Sequence, residues 1–262
     1  MNKKPSFELN VKMQIIKDFG FELNPESVLM DFGCGSGKLV QELCELGYNA
    51  YGCGTRFITQ EKVDTESMMR KGIIRSIDLT NYHLPFEDNA FDFIFSHSVF
   101  EHVQNYPETI SEIARVLKPT GYCLHFFASR YRTIEPHVFI PFSTVIQSYW
   151  WLYLWVLLGV HNEWKDYKTT KERSMAYFNY LKEETNYLTR KELLSQFGMK
   201  FKEVIFCENL LNKYSPKRGK YLYAVSRILP FTTCLYSMFK SRVVFTRSPI
   251  KRENEMDTRQ VQ

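Results

Sequence analysis

VLMDFGCGSGKLV, residues 28–40, decides how this chain folds. Val28 to Phe32 is a short apolar run of strand character interrupted by one acid, Asp31. Gly33, Gly35 and Gly37 follow at alternate positions, and an amphipathic segment opens at Lys38. Glycines spaced this way after a strand let the backbone turn tightly and come close to a ligand at a helix N-terminus. An acid at the strand's C-terminal edge can receive a cationic or hydroxyl-bearing group. The spacing is D-x-G-x-G-x-G and not the G-x-G-x-x-G of dinucleotide sites.

Outward from this loop, apolar runs alternate with amphipathic segments up to residue 129, the pattern of βαβ units and a parallel sheet. Strands are expected at 27–32, 48–53, 72–77, 91–96 and 121–129. Helices are expected at 38–46, over most of 58–72, and across TISEIARVLK (109–118), where Ile110, Ile113 and Leu117 share a face. Residues 138–160 carry no charged side chain, but Pro141, Ser143, Thr144, Gln147 and Ser148 dilute their first half. The remaining apolar core is short for a bilayer span, which takes roughly 20 residues, and suits a buried or interfacial helix. A charged, Tyr-rich helix is expected at 168–187. Thr189 and Glu192 form a capping-box pattern opening a helix at 190–197, closed by Gly198. Strands at 200–208 and 242–247 enclose two short amphipathic helices within 212–240. From Lys251 the charged tail reads as disordered.

The six cysteines are scattered without C-x-x-C pairs, which argues against a zinc site and suits a reducing, cytoplasmic compartment. MNKKPSFELNVK has no apolar stretch of signal-peptide type. The net charge of +5 is unevenly distributed: residues 209–252 hold ten Lys or Arg and no acid. Such a stretch fits an anionic surface, such as phospholipid headgroups or an acidic substrate, with nucleic acid a weaker fit, or simply a solvated face.

Three further segments make the glycine loop specific. LPFEDNAFDFIFSHSVFEHV (84–103), EIARVLKPTG (112–121) and GYCLHFFAS (121–129) follow it in order. Together with residues 28–40 they resemble class I S-adenosylmethionine-dependent methyltransferases, particularly the ubiquinone and menaquinone biosynthesis group. The resemblance covers about residues 25–130. It implies an α/β, Rossmann-like, doubly wound sheet of seven strands, mostly parallel with a reversed last strand. Within one domain over 1–250, residues 20–130 would form the cofactor-binding core, 131–198 a helical cap insertion, and 199–250 the terminal strands with a basic amphipathic segment.

By that resemblance the cofactor is S-adenosyl-L-methionine. Asp31 and the backbone around Gly33, Cys34, Gly35 and Gly37 would hold its methionine end and ribose. Asp78, with Leu79 beside it, would meet the adenine amine, and Ser96 and His97 would border the sulfonium. Glu101 and His102 read more readily as a pair capping a helix start. One departure stands out. The family ends its second strand on an acid that binds the ribose hydroxyls, whereas YGCGTR places Gly54 there, followed by Thr55 and Arg56. Loss of that acceptor could cost about 1–3 kcal/mol of binding unless another group, Thr55 or Glu61, takes over.

Among the six histidines, His125 lies inside a strand and His83 and His161 in loops, which suits structural roles. His137 lies in RTIEPHVFIPF, beyond the C-terminal end of the fifth strand, where doubly wound sheets place ligands. It is the candidate general base, with Glu135 orienting it. The aromatic run Tyr149–Trp155 follows and fits a lid over an apolar or sugar-like acceptor, a dimer interface or plain core. The expected acceptor is a saccharide, glycolipid or lipid-like molecule, with a quinone-type phenol or a non-catalytic binding role as alternatives. No metal is expected. A homodimer and peripheral attachment to an anionic membrane are further expectations.

Overall fold

In the computed structural model, which describes residues 4–58, 60–61, 63–78, 80–162, 169–214, 217–229, 231–232, 235 and 239–250, strand β1 (Val28–Phe32) lies parallel between β2 (Asn49–Gly54) and β4 (Phe91–His97). β3 (Ile74–Ser76) extends the sheet beyond β2, and β5 (Leu117–Ala128) extends it beyond β4. β7 (Ser241–Pro249) runs antiparallel to both β5 and β6 (Phe201–Phe206), so the order is β3-β2-β1-β4-β5-β7-β6. Strand order reverses between β1 and β4, and the crevice at their C-terminal ends is the place such sheets offer a ligand.

Both faces of the sheet are covered, which is why β1 and β4 read as continuous apolar runs rather than alternating ones. On one face α4 (Tyr106–Val116) and α7 (Arg190–Gly198) bury Ile110, Ile113, Leu193 and Phe197 against Met30 and Ile94. On the other, α1 (Phe7–Asp18) and α2 (Lys38–Glu45) bury Leu9, Ile16, Val40 and Leu43 against Leu29, Phe93 and Phe95. A third, smaller core joins the loop residues Val138 and Ile140 to α5 (Tyr149–Leu157) and α6 (Thr170–Glu183) through Leu152, Val156, Tyr177 and Leu181. This third core is the cap.

Several expectations change. The helix expected over 58–72 shrinks to α3 (Thr65–Arg70), because Asp64 accepts a hydrogen bond from the Ser67 amide and starts it there, after a bridge between Gln60 and Val63. Of the uncharged stretch 138–160, only the nine residues of α5 are helical; no helix among the described residues is long and apolar enough to cross a membrane. α1, capped by Ser6, had no counterpart in the sequence reading. The predicted capping box at Thr189 and Glu192 forms with both reciprocal bonds, and a second one opens α6 at Thr169 and Glu172. The basic segment provides α8 (Glu208–Tyr214) and α9 (Lys217–Ile228). The tail from Lys251 lies outside the described residues.

Candidate active site

The glycine loop is shaped by contacts that exclude side chains. Gly33 has φ +76°, and a Cβ there would come within 2.3 Å of Val99 Cγ2. The Gly33 and Cys34 amides both donate to the Cys53 carbonyl (2.8 and 3.0 Å), and the Gly37 amide donates to the Cys34 carbonyl. Those three amides are therefore occupied within the fold and do not face a ligand freely. Gly35, at φ +53°, has open space where its Cβ would be, so the loop presents its bare backbone at this residue. The Cys34 side chain packs inward, and burial pushes its thiol up to about 12.

Asp31 is buried at the strand end, and burial raises its carboxyl to about 7 against the opposing pull of Lys12 and His97. Lys12 is itself buried in the face of α1, paired with Glu8 and 3.4 Å from His97 Nδ1. His97 Nδ1 lies 2.8 Å from Glu8 Oε1, and that hydrogen bond, with help from Lys12, holds Glu8 far below the usual carboxylate range. α1 thus brings a cation and an anion to the edge that carries Asp31, beside the His97 imidazole at the end of β4. The sequence reading missed Lys12 and Glu8, because the apolar pattern around them gives no sign of the strand they meet.

Other expected cofactor residues are distributed unevenly. Gly54 ends β2, and a Cβ there would meet nothing closer than 3.7 Å, so crowding does not explain the absent acid. Thr55 is exposed next to it, and Arg56 pairs with Glu184 at the end of α6 (3.0 Å). Asp78 is exposed beyond β3, and hydrogen bonds from the Thr80 amide and hydroxyl lower its pKa. Leu79 lies outside the described residues. Ser96 departs from its expected role: its side chain is fully buried and bonded to His125 Nδ1 across the β4–β5 register (2.8 Å), so only His97 of that pair reaches the edge. Burial lowers His125 to about 3, leaving it neutral in the core.

The acceptor side is built on the loop after β5. Glu135, with no exposed surface, receives the His137 ring through Nδ1 (2.6 Å), the Tyr187 hydroxyl (2.6 Å), and the His137 and Val138 amides (2.7 and 2.6 Å). Burial pushes this carboxyl up, but the bonds from His137 and Tyr187 outweigh it and hold it below its ordinary value. Because Nδ1 donates to a carboxylate, Nε2 is the basic nitrogen of His137. The His102 ring meets the His137 ring edge-on at 4.9 Å, and Tyr180 of α6 lies 5.5 Å from His137. His102 Nδ1 is fixed by the Glu184 carbonyl (2.8 Å).

Glu101, buried beside these histidines, has its carboxyl raised by burial, and its Oε2 has no hydrogen-bond partner. Glu101 and His102 are therefore more than the helix-capping pair expected from sequence: no side-chain cap forms in that turn. The EH pair was visible in the sequence, but its meeting with residues 135–137, 180 and 187 required the cap to be folded.

Residues 30–125 match the family model described as a methyltransferase domain. Over 168 residues the chain is 25% identical to the ubiquinone biosynthesis O-methyltransferase of Pelagibacter ubique, covering 62% of this chain and 65% of that one. Over 107 residues it is 30% identical to the glycine/sarcosine/dimethylglycine N-methyltransferase of Actinopolyspora halophila, covering 38% of this chain and 18% of that protein. The chain thus spans less than two thirds of either relative. Among solved structures, the phosphoethanolamine N-methyltransferase 2 of Haemonchus contortus, in complex with phosphomonomethylethanolamine and S-adenosylhomocysteine, shares the fold at a TM-score of 0.50 and 15% identity, covering 92% of this chain and 52% of that one. With this sheet order and this glycine loop, residues 30–125 are similar to the methyltransferase domain family. The relatives it is similar to include ubiquinone biosynthesis O-methyltransferases, a sterol methyltransferase and N-methyltransferases.

Proposed function

We propose that this chain transfers a methyl group from S-adenosylmethionine to an oxygen acceptor, a saccharide hydroxyl, free or on a lipid-linked glycan. The observation that carries the reading is the Glu135–His137 pair, set beyond the C-terminal end of β5 with Nε2 as the basic nitrogen. The cradle suits the donor: open backbone at Gly35, a buried carboxyl at Asp31, and an exposed carboxylate at Asp78. S-adenosylmethionine supplies a methyl on a positively charged sulfur, which is open to in-line displacement. Asp31 would take the positive end of the donor's methionine, and Thr55 a ribose hydroxyl in place of the absent acid.

An alcohol is a weak nucleophile and needs its proton removed as it attacks. His137 takes that proton at Nε2. Glu135 keeps the Nδ1 proton in place and stabilises the imidazolium that results, from a carboxylate that Tyr187 and two amides already hold ionised. The edge-on His102 ring and Tyr180 limit how far His137 can swing.

The test is methyl transfer from labelled S-adenosylmethionine to a panel of soluble saccharides and glycolipids. His137→Gln should lower kcat by about 10²–10³-fold with cofactor affinity unchanged. No calorimetric binding of S-adenosylmethionine at millimolar concentration would sink the enzyme reading in favour of a binding module. A second reading, a phenolic acceptor, draws on the similarity to ubiquinone biosynthesis O-methyltransferases. A phenol needs less help from a base, so on such an acceptor His137→Gln should cost less than about tenfold.

A further inference from the structure

Around the Glu135–His137 loop the molecular surface is apolar. Phe139 and Phe142 both have left-handed backbones, φ +59° and +54°, a costly conformation for bulky residues, and both side chains are exposed. The loop fixes them through the Phe139 amide to the Glu135 carbonyl (3.0 Å) and the Phe142 amide to the Thr133 carbonyl (2.8 Å). The Val145 and Ile146 amides both donate to the Phe142 carbonyl, and their side chains are exposed as well. From there α5 continues outward with Trp150, 74% exposed, and Leu154.

On the other side of the loop the Thr133 amide donates to the Phe239 carbonyl (3.3 Å), which brings exposed Phe239 and Lys240 alongside. α9 packs on α8 and presents Lys220, Tyr221, Arg227 and Ile228 to solvent, the pairs two turns apart on one stripe. Residues 209–252 contain no acid, and the single acid of residues 129–162 is the buried Glu135. These segments therefore offer exposed apolar side chains and cations, without an exposed carboxylate among their described residues.

We infer that these segments dock on an anionic phospholipid surface, with the apolar side chains entering the interfacial region and the cations meeting headgroup phosphates. The charge decides the occupant. A second copy related by a two-fold axis would set the same cations against each other, whereas an anionic bilayer complements them. An exposed apolar rim interleaved with Lys and Arg is what interfacial attachment requires. The docking rests on these side chains alone. Its consequence, that a lipid-borne acceptor reaches His137 from the bilayer, rests on the methyltransferase reading.

The experiment is co-sedimentation of the full chain with vesicles of phosphatidylcholine, with and without about 30 mol% phosphatidylglycerol, at low and high salt. The expected result is at least about tenfold stronger binding to the anionic vesicles, weakened by salt. Lys220→Glu with Arg227→Glu should abolish the anionic preference, and Phe142→Asp with Ile146→Asp should lower binding to both vesicle types by about tenfold. An unchanged thermal midpoint and circular dichroism spectrum show that the variants are folded. No sedimentation at millimolar lipid overturns the inference, as does equal, salt-independent binding to both vesicle types. A dimer in the ultracentrifuge that Phe142→Asp dissociates, with vesicles left unbound, overturns it too. Vesicle binding without methyl transfer would leave the docking standing and remove the transfer reading, so the two fail separately.

Discussion

At the scale of single residues, Asp31 makes the clearest prediction about cofactor binding. Burial leaves its carboxyl at about 7, so near neutral pH a large fraction is protonated. A cation placed beside it favours the ionised form, and binding must expel the proton wherever the free protein still carries it. The affinity for S-adenosylmethionine should therefore rise with pH up to about 7 and level off above, with proton release measurable by calorimetry in buffers of different ionisation enthalpy. Asp31→Asn should abolish that dependence and weaken binding. Lys12→Met removes a charge that lowers the Asp31 pKa, so it should move the midpoint upward. For the acceptor side, Glu135→Gln should lower kcat while leaving cofactor affinity intact, because its partners, the His137 ring, the Tyr187 hydroxyl and the His137 and Val138 amides, all lie on that side. Asp31 and the Glu135–His137 pair were legible in the sequence from a motif and from position after a strand. Lys12, Tyr180 and Tyr187 were not, since nothing local marks them and each matters only through a partner dozens of residues away.

At the scale of elements, local chemistry that points one way proved readable. The capping box at Thr189 and Glu192 announced α7 and forms as written. Thr189→Ala should cost about 1 kcal/mol, read as a lower thermal midpoint with activity retained. The helix expected over 58–72 failed because periodicity was followed past its start signal: Asp64, three residues before Ser67, was available to mark the true beginning. Residues 138–148, diluted by Pro141, Ser143, Thr144, Gln147 and Ser148, form no helix, and α5 starts after them. Ser143 and Thr144 are buried there by bonding back to the Ile140 and Arg132 carbonyls, which holds an irregular loop. In the glycine loop, Gly33→Ala places a Cβ in Val99 and demands a left-handed backbone from alanine. A loss of about 2 kcal/mol or more is expected, together with weakened cofactor binding.

At the scale of the whole molecule, the cap has its own small core, Val138, Ile140, Leu152, Val156, Tyr177 and Leu181, beside the two large cores on the sheet. A smaller core opens at lower free energy. Hydrogen exchange should therefore be faster across α5 and α6 than across β1 and β4; equal protection would show that cap and sheet unfold as one. The sheet itself was legible because both faces of its central strands are covered, so that β1 and β4 are largely apolar runs, while the cap follows no repeating pattern that a sequence can display.

The position of β7 has a consequence for how the chain is made. It is the last strand among the described residues, yet it lies between β5 and β6, which do not pair directly there. During synthesis β1 to β5 can assemble as they emerge, because each joins strands already present. β6 cannot: it must wait, unpaired and with Phe201 and Phe206 still seeking cover, until residues 241–249 have left the ribosome and supplied the missing neighbour. That interval between the emergence of β6 and β7 is when a nascent chain would most need a chaperone.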